Sequence, residues 1–390
     1  MPLSSVFHTA SLRDQIAALG DEFAIEGNFL RHDVINSGHI NMTFRAEYAS
    51  HNGKVSRYIF QRINDAVFTR PRDVMHNVEK VTRHILWKMR RVIRPHEFQT
   101  LNLYAARGGR NYLELPGAGY WRCYNCIEHT HTYDVAETPQ QAYEAAQAFG
   151  AFQELLCDMN PADIHETIPY FHHTRRRFDR LMEVARQNPK GRLESCTREL
   201  EFVRAHESCV DVILDLLAQG EIPTRIVHND TKINNVMLDE DTDLAVCVID
   251  LDTVMPGSAL YDFGDMVRTM TSPAAEDEED LSKTFLRMPM FEAVTRGYLR
   301  SARGFITPKE ADLLAFSGLL ITLETGIRFL TDYLEGDVYF KTEREGHNLA
   351  RARTQLKLVA NMDARMEEMQ ACVRQIMHEH EQECPEGYEA

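Results

Sequence analysis

His228, Asp230 and Asn235 fall in the run HNDTKINN at 228–235, and Asp250 and Asp252 close the run VIDLD at 248–252. These residue types at these spacings suit the transfer of a phosphoryl group to a hydroxyl. Asp230 is placed to take the proton of the attacking hydroxyl. The Asn235 amide and the Asp250 carboxylate offer hard oxygens to magnesium, an ion that takes few protein ligands and keeps water. Asp252 would assist as a second ligand or a water anchor. Singly, each acid reads as a turn cap or a loop residue at a strand exit. Jointly, in this order and within about 25 residues, they read as a catalytic constellation.

The elements that must position them are legible nearby. The apolar run at 244–249 follows the polar turn DEDTD and predicts a buried strand ending at the acids. The H-x-D-x-x-x-x-N spacing resembles a kinase catalytic loop. With it, the chain resembles the aminoglycoside phosphotransferase and choline kinase superfamily, whose loop reads H-x-D and whose metal carboxylate lies in an I-D-x-D/E stretch. More narrowly, SGHINMTF, YIFQRIN, HNDTKINN, IDLDTVMPG, DFGDMVRT and GIRFLTDYL, in this order between residues 37 and 334, resemble segments of the N-acetylhexosamine 1-kinases. The resemblance implies a bilobal, protein-kinase-like α+β fold. A small antiparallel β-sheet lobe with one helix would cover 1–128, a hinge 129–134, and a larger, mostly helical lobe 135–390. It also implies ATP as phosphoryl donor, Mg2+ as cofactor, and the anomeric (C1) hydroxyl of an N-acetylhexosamine as acceptor, giving the sugar 1-phosphate.

Within that frame the remaining motifs acquire expected roles. The stretch VINSGHINMTFRAEY reads as strand, turn, strand, and Gly38 would let the backbone approach a phosphate. Kinase-like folds carry a lysine on the strand that follows. Here RYIFQRIN has none, so Gln61 or Arg62 takes its place; alternation lets only one face the cleft, and Arg62 is favoured for its charge. The helix opening at Pro71 carries Val74, Val78, Val81 and Ile85 on one stripe, with Asn77 or Glu79 left as the residue that orients the cation. The hinge near Glu128 would hold the adenine. Asp262 and Asp265 in YDFGDMVRT read as helix-start scaffolding and not as the metal site, because VIDLD already fills that role.

Acceptor recognition rests on thinner signals. Glu324, Arg328 and Asp332 follow one another at four-residue spacing and share a helix face, either as a salt-bridge ladder or as a polar face for sugar hydroxyls. The resemblance favours Arg328 and Asp332 as sugar contacts, with His32 and Asp33 as lesser ones. Four arginines and two histidines in FHHTRRRFDRL read as a solvated basic face. The run EDEED at 276–280 reads as a solvated loop or helix start, and 351–378 as one final helix.

Bulk properties bound the alternatives. A chain of 390 residues buries a sizeable core and commonly divides in two. A net charge of −16 disfavours nucleic acid or an anionic membrane as partner and is compatible with a metal-masked nucleotide in a local pocket; ATP and a small sugar as partners are what the resemblance implies. Eight scattered cysteines and the lack of an apolar leader in the sequence place the expected setting in the cytoplasm. The lone C-x-x-C at Cys123 and Cys126 alternates as a strand would. Three rival readings stay open: a kinase of an aminoglycoside, aminoalcohol or pentose; a catalytically silent nucleotide-binding regulator, suggested by the missing lysine; and a metal-dependent hydrolase built on Asp250 and Asp252.

Overall fold

Alternation along the strands of the amino-terminal region sorts apolar from polar side chains with little ambiguity, and this sorting builds the first half of the molecule. The computed structural model describes residues 11–35, 40–91 and 98–383. It divides into two compact units. The first comprises 1–130, 162–168 and 246–255, and the second 131–161, 169–245 and 256–390. The chain first passes from one to the other after Thr130. Two later segments, one of them bearing VIDLD, return to the first unit.

In the first unit, helix α1 (Leu12–Glu22) precedes strands β1 (Asn28–Ile35), β2 (Met42–Ala49) and β3 (Val55–Ile63). Helix α2 (Pro71–Met89), β4 (Leu113–Leu115) and β5 (Gly119–Asn125) follow. The strands form one sheet in the order β1-β2-β3-β5-β4, with every neighbour antiparallel. Phe44, Ala46, Tyr48, Phe60, Trp121 and Cys123 share one face and bury against Ile16, Leu19 and Phe23 of α1 and its end. Each such large apolar side chain contributes about 1.5–3 kcal/mol on leaving water. The other face carries Thr43, Arg45, Glu47, Gln61 and Arg122, because a period of two leaves them nowhere else to point.

Helix α2 begins at the expected Pro71 and buries Val74, Val78, Val81 and Ile85. Asn77 is buried too, giving its amide to the carbonyls of His165 (2.8 Å) and Val254 (3.0 Å) and accepting the His165 N–H (2.9 Å). Glu79 faces outward and, among the described residues, pairs with Arg83 at 3.3 Å. Asn77 thereby fastens the two returning segments to the first unit.

The second unit contains α3 (Pro139–Leu156), α4 (Thr174–Gln187), α5 (Thr197–Ala205) and α6 (Val212–Gln219). Short strands β6 (Arg225–Val227) and β7 (Val236–Asp239) bracket HNDTKINN. Then come α7 (Ala259–Met270), α8 (Met288–Ala302), α9 (Pro308–Glu335), α10 (His347–Ala364) and α11 (Met366–Glu383). Helices α3 and α8 touch backbone to backbone. A Cβ on Gly297 would lie 2.1 Å from the Tyr143 carbonyl oxygen, so only glycine fits there. Helix α9 is long and apolar enough to cross a membrane by composition, yet 78% of its most apolar window is buried inside the protein. The expected single helix over 351–378 is two helices. Arg365 leaves helical geometry at φ −120°, while its guanidinium takes the Leu286 carbonyl and Glu368.

Candidate active site

The HNDTKINN loop is held from beneath by two acids of the DFGD run. Asp262, fully buried at the start of α7, accepts the backbone N–H of His228 (2.8 Å) and of Asn229 (2.7 Å) and the Gln153 amide (2.6 Å). Its backbone carbonyl takes the Thr231 hydroxyl at 2.6 Å. Asp265 accepts the Thr231 N–H (2.9 Å) and Arg268 (2.8 Å). Burial, larger than the opposing pull of His228 and the donated hydrogen bonds, raises the Asp262 pKa. Both acids therefore brace the loop, as their position at a helix start suggested. The His228 ring is itself buried between Phe149 and Phe152, at centroid distances of 5.3 and 5.7 Å.

On this base the chain turns sharply. Asn229 is left-handed at φ 65°, a conformation that asparagine adopts more readily than most residues. Asp230 follows, with 27% of its side chain exposed. Lys232 approaches one carboxylate oxygen at 3.1 Å, and the Asn235 amide donates to the other at 3.0 Å and to the Asp230 carbonyl at 2.8 Å. Burial would raise the Asp230 pKa, but the charges of Lys232 and His228 and the bonds from Lys232 and Asn235 outweigh it and hold the carboxyl below its ordinary range. An ionised carboxylate at an accessible loop tip can receive a proton. With its NH2 spent on Asp230, Asn235 retains its side-chain carbonyl oxygen as an acceptor.

The VIDLD acids lie in the first unit. Strand β8 (Ala245–Val248) is drawn in by the Gln99 N–H, which donates to Val246 at 2.6 Å. Asp250 leaves the strand end in left-handed geometry, φ 58°. Asp252 is 1% exposed; one oxygen meets Arg122, and the other accepts the Asn41 amide at 2.7 Å. Gln61 completes the cluster. Its carbonyl accepts Arg122 Nε (2.9 Å) and its amide donates to Thr43 (2.9 Å). Among the described residues no three His, Cys, Asp or Glu side chains gather as a closed metal cage. Magnesium, which prefers one or two carboxylates plus phosphate and water, needs none. Asn235 in the second unit and Asp250 in the first each carry an oxygen of the kind that ion takes; each Asp252 oxygen already takes one hydrogen bond and keeps further lone pairs.

Other expected site residues are placed as follows. Gln61, and not Arg62, is on the polar sheet face; Arg62 turns to the opposite face, where its Nε would crowd a Cβ on Gly119 at 2.9 Å. The buried cation beside Gln61 is Arg122, its cross-strand partner. Glu128 pairs with Arg57 at 3.1 Å. Asp33 pairs with Arg45 at 2.8 Å, and His32 packs by Phe29 and Phe44. Gly38 lies outside the described residues.

The polar face of α9 is neither a ladder nor uniform. Glu324, 1% exposed, accepts His172 Nδ1 (2.9 Å) and the Thr174 hydroxyl (2.5 Å). Arg328 lies over the rings of Phe171 and Phe340, 5.4 and 5.5 Å from their centroids. Asp332 accepts the backbone N–H groups of Val338, Tyr339 and Phe340 and the Asn348 amide, all between 2.8 and 2.9 Å. Two bonds to each oxygen leave this carboxylate saturated, so it shapes the 338–340 loop and has nothing to offer a sugar. Arg122, His172 and Lys232 were not singled out from the sequence. Arg122 alternates onto the polar face of WRCYNC, and Lys232 stands two residues past the base; those were the available signals.

Residues 33–293 match the sequence profile of the phosphotransferase enzyme family, APH. Solved structures with the same fold include aminoglycoside phosphotransferase from Alicyclobacillus acidocaldarius, 12% identical over 95% of this chain and 98% of that one, with a TM-score of 0.59. The GDP complex of aminoglycoside 2'-phosphotransferase-IIIa is 10% identical over 89% and 99%, with a TM-score of 0.55. Choline kinase from Cryptosporidium parvum is 11% identical over 88% and 92%, with a TM-score of 0.51. At such identities the likeness establishes the protein-kinase-like α+β fold. The family match covers most of the chain, and the chain belongs to the phosphotransferase enzyme family, APH.

Proposed function

We propose that this phosphotransferase moves the γ-phosphoryl group of ATP onto the C1 hydroxyl of an N-acetylhexosamine, such as N-acetylglucosamine or N-acetylgalactosamine, giving the sugar 1-phosphate. The observation that carries the chemistry is the Asp230 carboxylate, kept ionised by Lys232 and Asn235 on a loop braced by Asp262 and Asp265. Asp230 orients the acceptor hydroxyl and takes its proton as the new O–P bond forms. Asn235 and Asp250 supply oxygens of the kind magnesium takes. When bound, that ion screens the phosphate charge. Lys232, beside the base, offers a cation to the same phosphates.

The order of matched segments from SGHINMTF to GIRFLTDYL supports the sugar acceptor. A second reading, an aminoglycoside or aminoalcohol kinase, draws on what the fold neighbours are named for. Labelled ATP with a panel of N-acetylhexosamines, hexoses, pentoses, choline and aminoglycosides separates the two. The expected product carries label and has lost its reducing end, since C1 is blocked. Label appearing only on choline or an aminoglycoside would replace the first reading with the second. No acceptor-dependent ADP release at all would leave a silent nucleotide binder.

A further inference from the structure

We infer that the outer face of helix α2 docks on the acidic second unit of another copy of this chain, joining two molecules in a weak, salt-sensitive association. The inference is independent of which acceptor the active site takes. The net charge of −16 is unevenly shared. The first unit carries 17 Lys and Arg against 16 Asp and Glu, leaving the second with 26 against 43. Within the first unit, positive charge gathers along α2 and just beyond it. Between Glu79 and Glu97 the sequence has six Lys and Arg and no acid.

The helix turns one side of this run outward. At about 100° per residue, Lys80, Arg83 and Trp87 fall within about 60° of one another and about 150° from the buried stripe of Val74, Val78, Val81 and Ile85. All three are exposed, Trp87 by 48%. Arg91, also exposed and just past the helix end, lays its guanidinium over the Trp87 ring, 3.9 Å from the centroid, and the His84 ring flanks Trp87 at 5.8 Å. The helix dipole accounts for cations in and after the last turn but not for Lys80 and Arg83, which stand before it. Arg83 meets Glu79 at 3.3 Å with 76% of its side chain still exposed, a pair that holds it only loosely. A face that merely solvates a helix mixes both signs of charge and has no need of a half-exposed indole.

Tryptophan and arginine are the residues that most often anchor protein interfaces, and an indole set among cations is matched by a surface of carboxylates. The second unit of another copy is such a surface. Nucleic acid and anionic membranes respond to the charge of a whole face, and a first unit with a net charge of only +1 is a poor footprint for either; a protein surface can match one strip. Two copies repel as whole molecules, but at physiological salt that repulsion is screened beyond about 8 Å, so the facing patches decide. From Lys80 to Arg91 the strip runs about 16 Å and is one helix, about 10 Å, wide. That is roughly a quarter of the ~800 Å2 each partner gives to a stable interface, which sets the affinity at the weak end, with a Kd of about 10–100 µM.

Sedimentation velocity of the full chain from about 5 to about 300 µM, at low and at high salt, tests this. At low salt the wild-type mass is expected to rise above the monomer with concentration, and at high salt to stay monomeric. Trp87→Ser should weaken the association about tenfold or more, and Lys80→Glu combined with Arg91→Glu should abolish it. Unchanged circular dichroism guards against misfolding in these surface variants. Fluorescence reports the contact itself. Of the two tryptophans Trp121 is only 3% exposed, so association should shift the emission to the blue through Trp87 and leave Trp87→Ser unshifted. A wild type that stays monomeric at every concentration, or association undiminished in the double variant, would overturn the proposal. So would monomeric wild type that co-sediments with anionic phospholipid vesicles through the same two cations, since the strip would then be a lipid contact.

Discussion

In the first unit Arg122 spends its guanidinium on Asp252 and Gln61, Gln61 spends its amide on Thr43, and Asp252 takes Asn41 with its remaining oxygen. In the second unit Glu324 is as deeply buried and the His172 side chain is 8% exposed, yet His172 Nε2 and the neighbouring Arg177 Nε have no hydrogen-bond partner among the described residues. Both clusters place charge in the interior, where an unanswered polar atom is costly. The first has closed its network from within the chain. The second has left specific atoms open, and open buried atoms are where a ligand gains the most by binding. Asp332 and Asp230 repeat the contrast along the second unit. Asp332 is saturated and shapes a loop, while Asp230 stays partly exposed and ionised.

The largest expected effect is at the open end of this comparison. Asp230→Asn keeps the shape of the side chain and removes the basic oxygen. Turnover should fall about 10²- to 10⁴-fold, the usual range for a general base, with nucleotide affinity retained. Steady-state rates on the best acceptor of the panel, beside ATP titrations, decide it. Full turnover in the variant would mean that the proton leaves by another route and that exposure at Asp230 has no functional meaning.

At the closed end, Arg122→Leu strands the Asp252 carboxylate in a site 1% exposed, with only Asn41 to answer it. Breaking a buried pair from one side costs roughly 3–5 kcal/mol. Replacing both partners, Arg122→Leu with Asp252→Leu, should recover much of that loss, because the stranded charge is gone. Urea denaturation of both variants measures it. A single variant as stable as wild type would show that the cluster is looser than its hydrogen bonds imply.

The sequence was informative where a local rule has one solution. Pro71 with a four-residue apolar stripe gave α2, and the polar turn before a short apolar run gave β8 ending at the acids. The H-x-D spacing gave the loop, since Asn229 tolerates the left-handed turn it needs. Choices between chemically similar neighbours were less legible. Gln61 and Arg62 differ only in register, and what decides between them is Arg122, sixty residues away on the paired strand. The EDEED run keeps much of the expected exposure, but it is also paired with Arg268, Lys283, Arg344 and His347, the last two far downstream in the chain. His172 could not be weighed without the partner that fixes its ring, Glu324, 152 residues on.

The smallest effect lies on the same sheet face as Arg122 but nearer solvent. Glu47 accepts Arg31 at 2.8 Å and Arg57 at 3.0 Å; those two bonds, Arg31 first, bring its pKa down to about 2 against the opposing pull of burial. The unfolded chain would titrate this carboxyl near 4.3 or so. A depressed folded value means the contribution is complete above about pH 4.5 and is lost as pH falls towards 2. Wild type should therefore melt slightly above Glu47→Gln at neutral pH, with the gap closing over that acidic window. Arg31 and Arg57 are 60% and 37% exposed, so solvent screens the pair and added salt should shrink the gap as well. Melting temperatures across pH 2 to about 7 at low and high salt test both dependences. A gap that ignored pH and salt would mean that Glu47 acts through packing, and that closure of the network on this face owes nothing to its charge.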